Sequence, residues 1–215
     1  MSFQVMLQQL SSGLLNTMGI FFLTLLFSLP LGLVIAFGRM SKNKLISSFV
    51  SVVISILRGT PLMLQLMVWY FFPFYLMGWS ISGWRFPAVI VGFSINYAAY
   101  FAEIYRSGIE AIPKGQYEAG QILGYSKAQS FFKIILPQVI KIILPSITNE
   151  VITLVKDTSL AFSITYIEMF TLAKQIAAAE TSMMPFVIAA VFYYIFNALV
   201  AFVMSRLEKK MSYYS

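Results

Sequence analysis

The run Leu14-Leu-Asn-Thr-Met-Gly-Ile-Phe-Phe-Leu-Thr-Leu-Leu-Phe-Ser-Leu-Pro-Leu-Gly-Leu-Val-Ile-Ala-Phe-Gly38 contains no ionisable side chain. It exceeds the roughly 20 residues that a helix needs to cross about 30 Å of hydrocarbon. Leu62–Trp84 and Thr181–Ser205 are equally free of charge. A large soluble protein can bury one such segment in its core, but a chain of 215 residues has no interior for several. Composition agrees: 59% of residues are hydrophobic and 11% charged, against about 25% charged in soluble domains. The chain is an all-α integral membrane protein. No positive charge precedes Leu14, and the run is too long for a cleavable leader, so it is expected to be a retained span.

The formal charge of +7 does not indicate nucleic acid, because the basic residues fall in short clusters between apolar runs, as loop charges of membrane proteins do. Cysteine and histidine are both absent. Disulfides, thiolate or imidazole metal sites and histidine-based catalysis are therefore excluded, and no catalytic or metal-binding residue is expected.

Cutting the chain at its charges gives five expected spans: about Leu14–Gly38, Arg58–Met77, Phe86–Ala102, a fourth within Ile134–Val155 and Met183–Ser205. Leu45–Leu57 is apolar but too short to cross, and Thr158–Ala173 is either a re-entrant piece or a sixth span. The positive-inside bias selects five. The N-terminus is then outside and the C-terminus cytoplasmic. Arg39, Lys42, Lys44, Arg58, Arg106, Lys114, Lys127, Lys133, Arg206, Lys209 and Lys210 lie inside, and only Arg85 and Lys174 outside. Trp79, Trp84 and Tyr75 are expected in the outer aromatic belt. Gly19, Pro30 and Gly32 in the first span suit close packing and bending. One membrane domain, 1–215, is expected, with a polar connector at about 106–133.

That connector reads Pro113-Lys-Gly-Gln-Tyr-Glu-Ala-Gly-Gln-Ile-Leu-Gly124 and continues to Ile135-Leu-Pro137. Pro113 can open a short helix, Glu118 favours its early turns electrostatically, and Gly124 permits the turn that ends it. Such a helix, with the small residues Ala119 and Gly120 on one face, suits docking into a groove on a partner. Glu118-Ala119-Gly120, then Gly124 and Ile135-Leu136-Pro137, resemble the coupling motif of importer-type ABC permeases; Gly120 departs from the family's usual Ala. Arg58-Gly-Thr-Pro61, Gly115-Gln-Tyr-Glu118 and Lys156-Asp-Thr-Ser-Leu160 resemble the polar amino-acid branch of that family. The likeness covers about residues 14–210.

The resemblance implies a five-helix importer-type permease fold in the inner membrane of a bacterium, with Gly115, Glu118, Ala119, Gly120 and Gly124 meeting a cytoplasmic ABC ATPase. It also implies an extracytoplasmic solute-binding protein, a second permease subunit (identical or similar) and an amino-acid substrate. The chain lacks a Gly-x-x-x-x-Gly-Lys-Ser/Thr loop; the resemblance implies that ATP and Mg belong to the partner ATPase, and no cofactor is expected in this chain.

Ionisable residues within spans are costly and are functional candidates by default. Glu150 and Asp157 are seven apart, hence two turns apart on one face if the helix is continuous. Asn149, Thr153 and Leu154 lie on or beside that face. Together they suit an α-ammonium, with the second carboxylate available to a cationic side chain. Asp157 alternatively pairs with Lys156 or caps a helix starting at Thr158. Gln65, Asn96 and Tyr97 either line the pathway or make interhelical contacts. Glu103 and Arg106 suit a structural i,i+3 ion pair. An ion-coupled secondary transporter without an ATPase partner is the alternative; it would normally have more spans and an internal repeat. The sequence leaves the amino acid unspecified.

Overall fold

The computed structural model describes residues 1–78, 80 and 82–211; Trp79, expected in the aromatic belt, lies outside the described residues. The described chain is helical throughout: α1 Phe3–Arg39, α2 Lys44–Gly59, α3 Leu62–Met77, α4 Arg85–Glu110, α5 Lys114–Ile122, α6 Lys127–Ser130, α7 Leu136–Asp157, α8 Met169–Glu180 and α9 Met184–Met211. A π-helical turn, Phe131–Ile135, joins α6 to α7, and a 3₁₀ helix, Thr158–Ile164, follows α7.

Four of these segments are long and apolar enough to cross a bilayer unaided: α1, α4, α9 and the continuous stretch Lys127–Ile164 that contains α7. The candidate for a fifth crossing is a bent pair. α2 and α3 meet at 110° around Thr60-Pro61, where proline removes a backbone donor and restricts the preceding residue. Thr158–Ala173 is not a span. It divides into the 3₁₀ helix, a turn and the start of α8, and Thr165 at the turn sits at φ +56°, uncommon for a β-branched residue.

Two charge clusters mark opposite ends of the bundle. At one end the N-terminal ammonium meets Glu180 at 2.6 Å. At the other, Glu103 pairs with Arg106 at 2.7 Å, as the i,i+3 spacing anticipates, and with Arg39 at 3.7 Å; Arg106 also pairs with Glu110. α4 is the central helix and packs mainly along α1. A Cβ at Gly32 would stand 2.8 Å from the Phe101 Cβ, so glycine there sets how closely α1 and α4 approach. Gly108 does the same for α4 and α7, where a Cβ would overlap Ile143. Gly19, by contrast, faces open space, correcting its expected packing role. The periphery is apolar, with Leu15, Val34 and Leu45 among the exposed side chains, a surface that lipid rather than water accommodates.

Candidate functional site

α7 is one uninterrupted helix despite Pro145, so Glu150 and Asp157 do share a face. Both are half-buried, while Ser146, Asn149, Thr153 and Lys156 beside them are exposed. Spacings of three and four residues put this set on one stripe. A polar stripe open on a membrane helix is unsuited to lipid and suits an aqueous path or another protein surface.

Asp157 is fixed from across the bundle, by Tyr97 of α4, whose hydroxyl donates to Oδ2 at 2.7 Å. The alternative roles for Asp157 are not met: its side chain makes no cap bond to the 3₁₀ helix, and Lys156 makes no ion pair with it. Helical backbone geometry at Asp157 explains the first point, because a capping residue needs an extended one. Among the described residues none donates a hydrogen bond to Glu150, although the Arg58 guanidinium is close enough to act on it electrostatically. Arg58, placed by sequence among loop charges, stands 5.0 Å over the Tyr100 ring. Its position comes from the α2–α3 bend, which distance along the chain does not disclose.

Three of the candidate residues make their contacts within the bundle. Leu154 is wholly buried with Val151 and Val155 in the main core. Gln65 reaches the carbonyls of Leu57 (2.8 Å) and Thr60 (3.1 Å) and the Thr60 hydroxyl (2.8 Å). Asn96 donates to the Gln65 carbonyl oxygen at 3.0 Å and to the Leu57 carbonyl at 3.1 Å. These amides satisfy the backbone opened at the α2–α3 bend and tie it to α4, the kind of interhelical contact that is one of the two readings of these residues.

One carboxylate escaped the sequence reading. Glu168 is fully buried and caps α8, accepting from the Phe170 and Thr171 backbone N–H groups, both at 2.7 Å. The Thr171 hydroxyl (2.9 Å) and the Tyr193 hydroxyl of α9 (3.0 Å) complete its shell. The signal was present, a lone Glu in an otherwise apolar segment, but the segment's unsettled topology hid it.

The connector folds as anticipated, with refinements. Pro113 precedes α5, and Glu118 falls beyond its first turn, so its expected electrostatic support for the helix start is weak. Gly124 takes φ +73°, and Tyr125 N–H donates to the Gly120 carbonyl at 3.0 Å while Gly124 N–H donates to the Gln121 carbonyl at 2.9 Å, a Schellman ending. Gly115, Glu118, Ala119 and Gly124 are exposed, and Gly120 faces inward. Beyond them Ile122 and Leu123 project, 86% and 68% exposed. Ser126 and Gln129 then form a capping box that starts α6. The π-helical turn Phe131–Ile135 then leads through Leu136 to Pro137.

The sequence pattern of binding-protein-dependent transport system inner membrane components matches residues 28–213. The chain belongs to that family. The permease is 36% identical to the L-cystine transport system permease protein TcyB of Bacillus subtilis, over 95% of this chain and 87% of that one. It is likewise 36% identical to the arginine transport system permease protein ArtQ of the same organism, over 93% and 90%. A crystal structure of an amino acid ABC transporter with histidines contains a chain that superposes with a TM-score of 0.86 at 32% identity, covering 98% of the permease and 99% of that chain. The permease is thus a multi-pass inner membrane protein and a transport component rather than an enzyme. The ion-coupled alternative is set aside. Among the described residues no cluster of His, Cys, Asp or Glu suits a metal ion.

Proposed function

We propose that the permease forms half of the translocation path of an ATP-driven amino-acid importer, and that Glu150 and Asp157 on α7 receive the substrate's ammonium groups. The observation that carries this reading is the open polar stripe of α7, with Glu150 accepting no hydrogen bond from the described residues and Asp157 oriented by Tyr97. A carboxylate without a protein donor is costly in a membrane, and a cationic group from the solute offsets that cost. The cystine, arginine and histidine named for its relatives all carry an α-ammonium group.

In this scheme the end bearing Arg39, Glu103 and Arg106 is cytoplasmic and the N-terminus is outside, in keeping with the positive-inside distribution. A second permease subunit, identical or similar, faces the α7 stripe and closes the path around a pseudo-twofold axis. An extracytoplasmic binding protein delivers the solute to the outer mouth. ATP with Mg binds between two cytoplasmic ATPase subunits, and α5 seats in them through Glu118, Ala119 and the exposed Ile122–Gly124 tip. Closure of the ATPases moves α5, and the helices rock between outward and inward access.

The test is co-purification of the tagged permease with the ATPase encoded beside it, followed by an ATPase assay in lipid. Glu118→Arg together with Ala119→Trp, both at exposed positions of α5, is expected to release the ATPase without lowering the yield of folded permease. Undiminished ATPase binding by that variant contradicts the docking assignment. A wild-type chain that binds no ATPase contradicts the importer reading altogether.

A further inference from the structure

The route by which displacement of α5 would reach the substrate stripe runs through a short stretch of unusual backbone. α5 leans on α6 and on the π-helical turn Phe131–Ile135, which continues directly into α7. Three attachments hold α5 there. Gln138 Nε2 donates to Gln116 Oε1 at 3.2 Å, between two partly exposed side chains. Tyr117 packs at the edge of the cluster formed by Ile112, Ile135, Val139 and Ile143. Gly120 is the third, buried against Ser130 at the junction of α6 and the turn.

The third attachment differs from the others in having no slack. A Cβ on Gly120 would lie 2.5 Å from Ser130 Oγ, 3.0 Å from Ser130 Cβ and 3.3 Å from Ile134 Cδ1. The first of these is well inside van der Waals contact, and the second is tight against backbone-borne carbon rather than the far end of a flexible chain. The Ser130 hydroxyl is buried and has no hydrogen-bond partner among the described residues. Serine is therefore held there by its volume rather than by a polar bond. Two long amides joined at 3.2 Å can yield by changing rotamers, whereas a close-packed contact passes displacement on because repulsion rises steeply below contact distance. A π-helical turn is itself a common device at functional positions, since its surplus residue gives the helix a place to shift.

We infer that the Gly120–Ser130 contact is the positioning element through which movement of α5 enters the π-helical turn and is carried along α7 to Glu150 and Asp157. This rests on the coupling role proposed for α5. The contact must be neither tighter nor looser than it is. Gly120→Ala forces α5 away from the turn, and Ser130→Gly opens a gap at the same point. The double variant Gly120→Ala/Ser130→Gly adds a Cβ on α5 and removes the Ser130 Cβ and Oγ that it would strike, so the overlap is relieved and most of the gap is filled.

The experiment uses the complete importer, with its ATPase and binding protein, in proteoliposomes. The readout is solute imported per ATP hydrolysed, with a radiolabelled mixture of the protein amino acids and cystine as probe. Each single variant is expected to lower that ratio by about fivefold while ATPase binding persists, and the double variant to return it to near wild type, as coupled neighbours do. A merely structural role would reduce the amount of assembled complex and leave the ratio per complex unchanged. An unaltered ratio in Ser130→Gly, which introduces no overlap and so is the variant to rely on if Gly120→Ala does not assemble, overturns the inference. So does a double variant no better than the worse single one. A wild-type complex with normal uptake but insensitive single variants refutes only this contact, whereas a wild type that binds no ATPase refutes the importer reading beneath it.

Discussion

Glu168 and the Glu150–Asp157 pair are carboxylates within the same bundle, and their surroundings are opposite. Around Glu168, two backbone N–H groups and two hydroxyls fill the acceptor positions of a fully buried group. Asp157 accepts one hydroxyl, Glu150 has no donor among the described residues, and both border an exposed polar stripe. Burial of a charge is tolerable only with partners. Where the chain supplies all of them, the carboxylate joins elements: here α8 to α9, beside a further bond at 3.3 Å from Met169 N–H to Thr17 of α1. Where it supplies few, the group is kept for something that comes and goes.

The comparison breaks first at Glu168. Replacing it with Ala strands two backbone donors and the Tyr193 hydroxyl, and should cost about 3 kcal/mol or more. A marked fall in the thermal unfolding midpoint in detergent is the expected sign. An unchanged midpoint would mean that the donors find other acceptors and that Glu168 is not a structural clamp.

Gln65 offers a milder version of the same test. If it serves the α2–α3 bend and not the solute, Gln65→Leu should lower stability by about 1–2 kcal/mol and leave the KM for uptake in place. A raised KM with unchanged stability would place Gln65 on the pathway. Tyr97→Phe should have the smallest effect. Loss of one hydrogen bond frees the Asp157 carboxylate to turn, worth about 1 kcal/mol, so uptake should weaken by about fivefold in KM with the unfolding midpoint nearly constant. A KM equal to that of the wild type would show that Asp157 needs no orienting partner.

The difference between these carboxylates also marks what the sequence could disclose. Long uncharged runs and the distribution of Lys and Arg carry the membrane class and the spans, because hydrocarbon thickness imposes them directly. The α5 ending was legible too, since Gly124 and its spacing from Pro113 leave little choice of turn. The 110° bend between α2 and α3 was readable only as a Pro-containing break; its angle depends on Gln65 and Asn96, which bond to backbone carbonyls from different parts of the chain. Leu154 falls at nearly the same angle as Glu150 on a helical wheel, and only the packing against α4 and α9 turns it to the core. Arg58 within electrostatic range of Glu150 and Tyr193 bonded to Glu168 bring together residues far apart in sequence, and no local pattern encodes such a meeting.

The assignment of Glu150 to the solute is the point on which the account depends most. Uptake of radiolabelled amino acids by proteoliposomes containing the complete importer, wild type against Glu150→Gln, tests it directly. The predicted result is loss of uptake in the variant with assembly and basal ATPase activity intact, because the amide keeps the shape and removes only the charge. Wild-type uptake by Glu150→Gln would contradict the account and leave the α7 stripe as a contact surface between subunits.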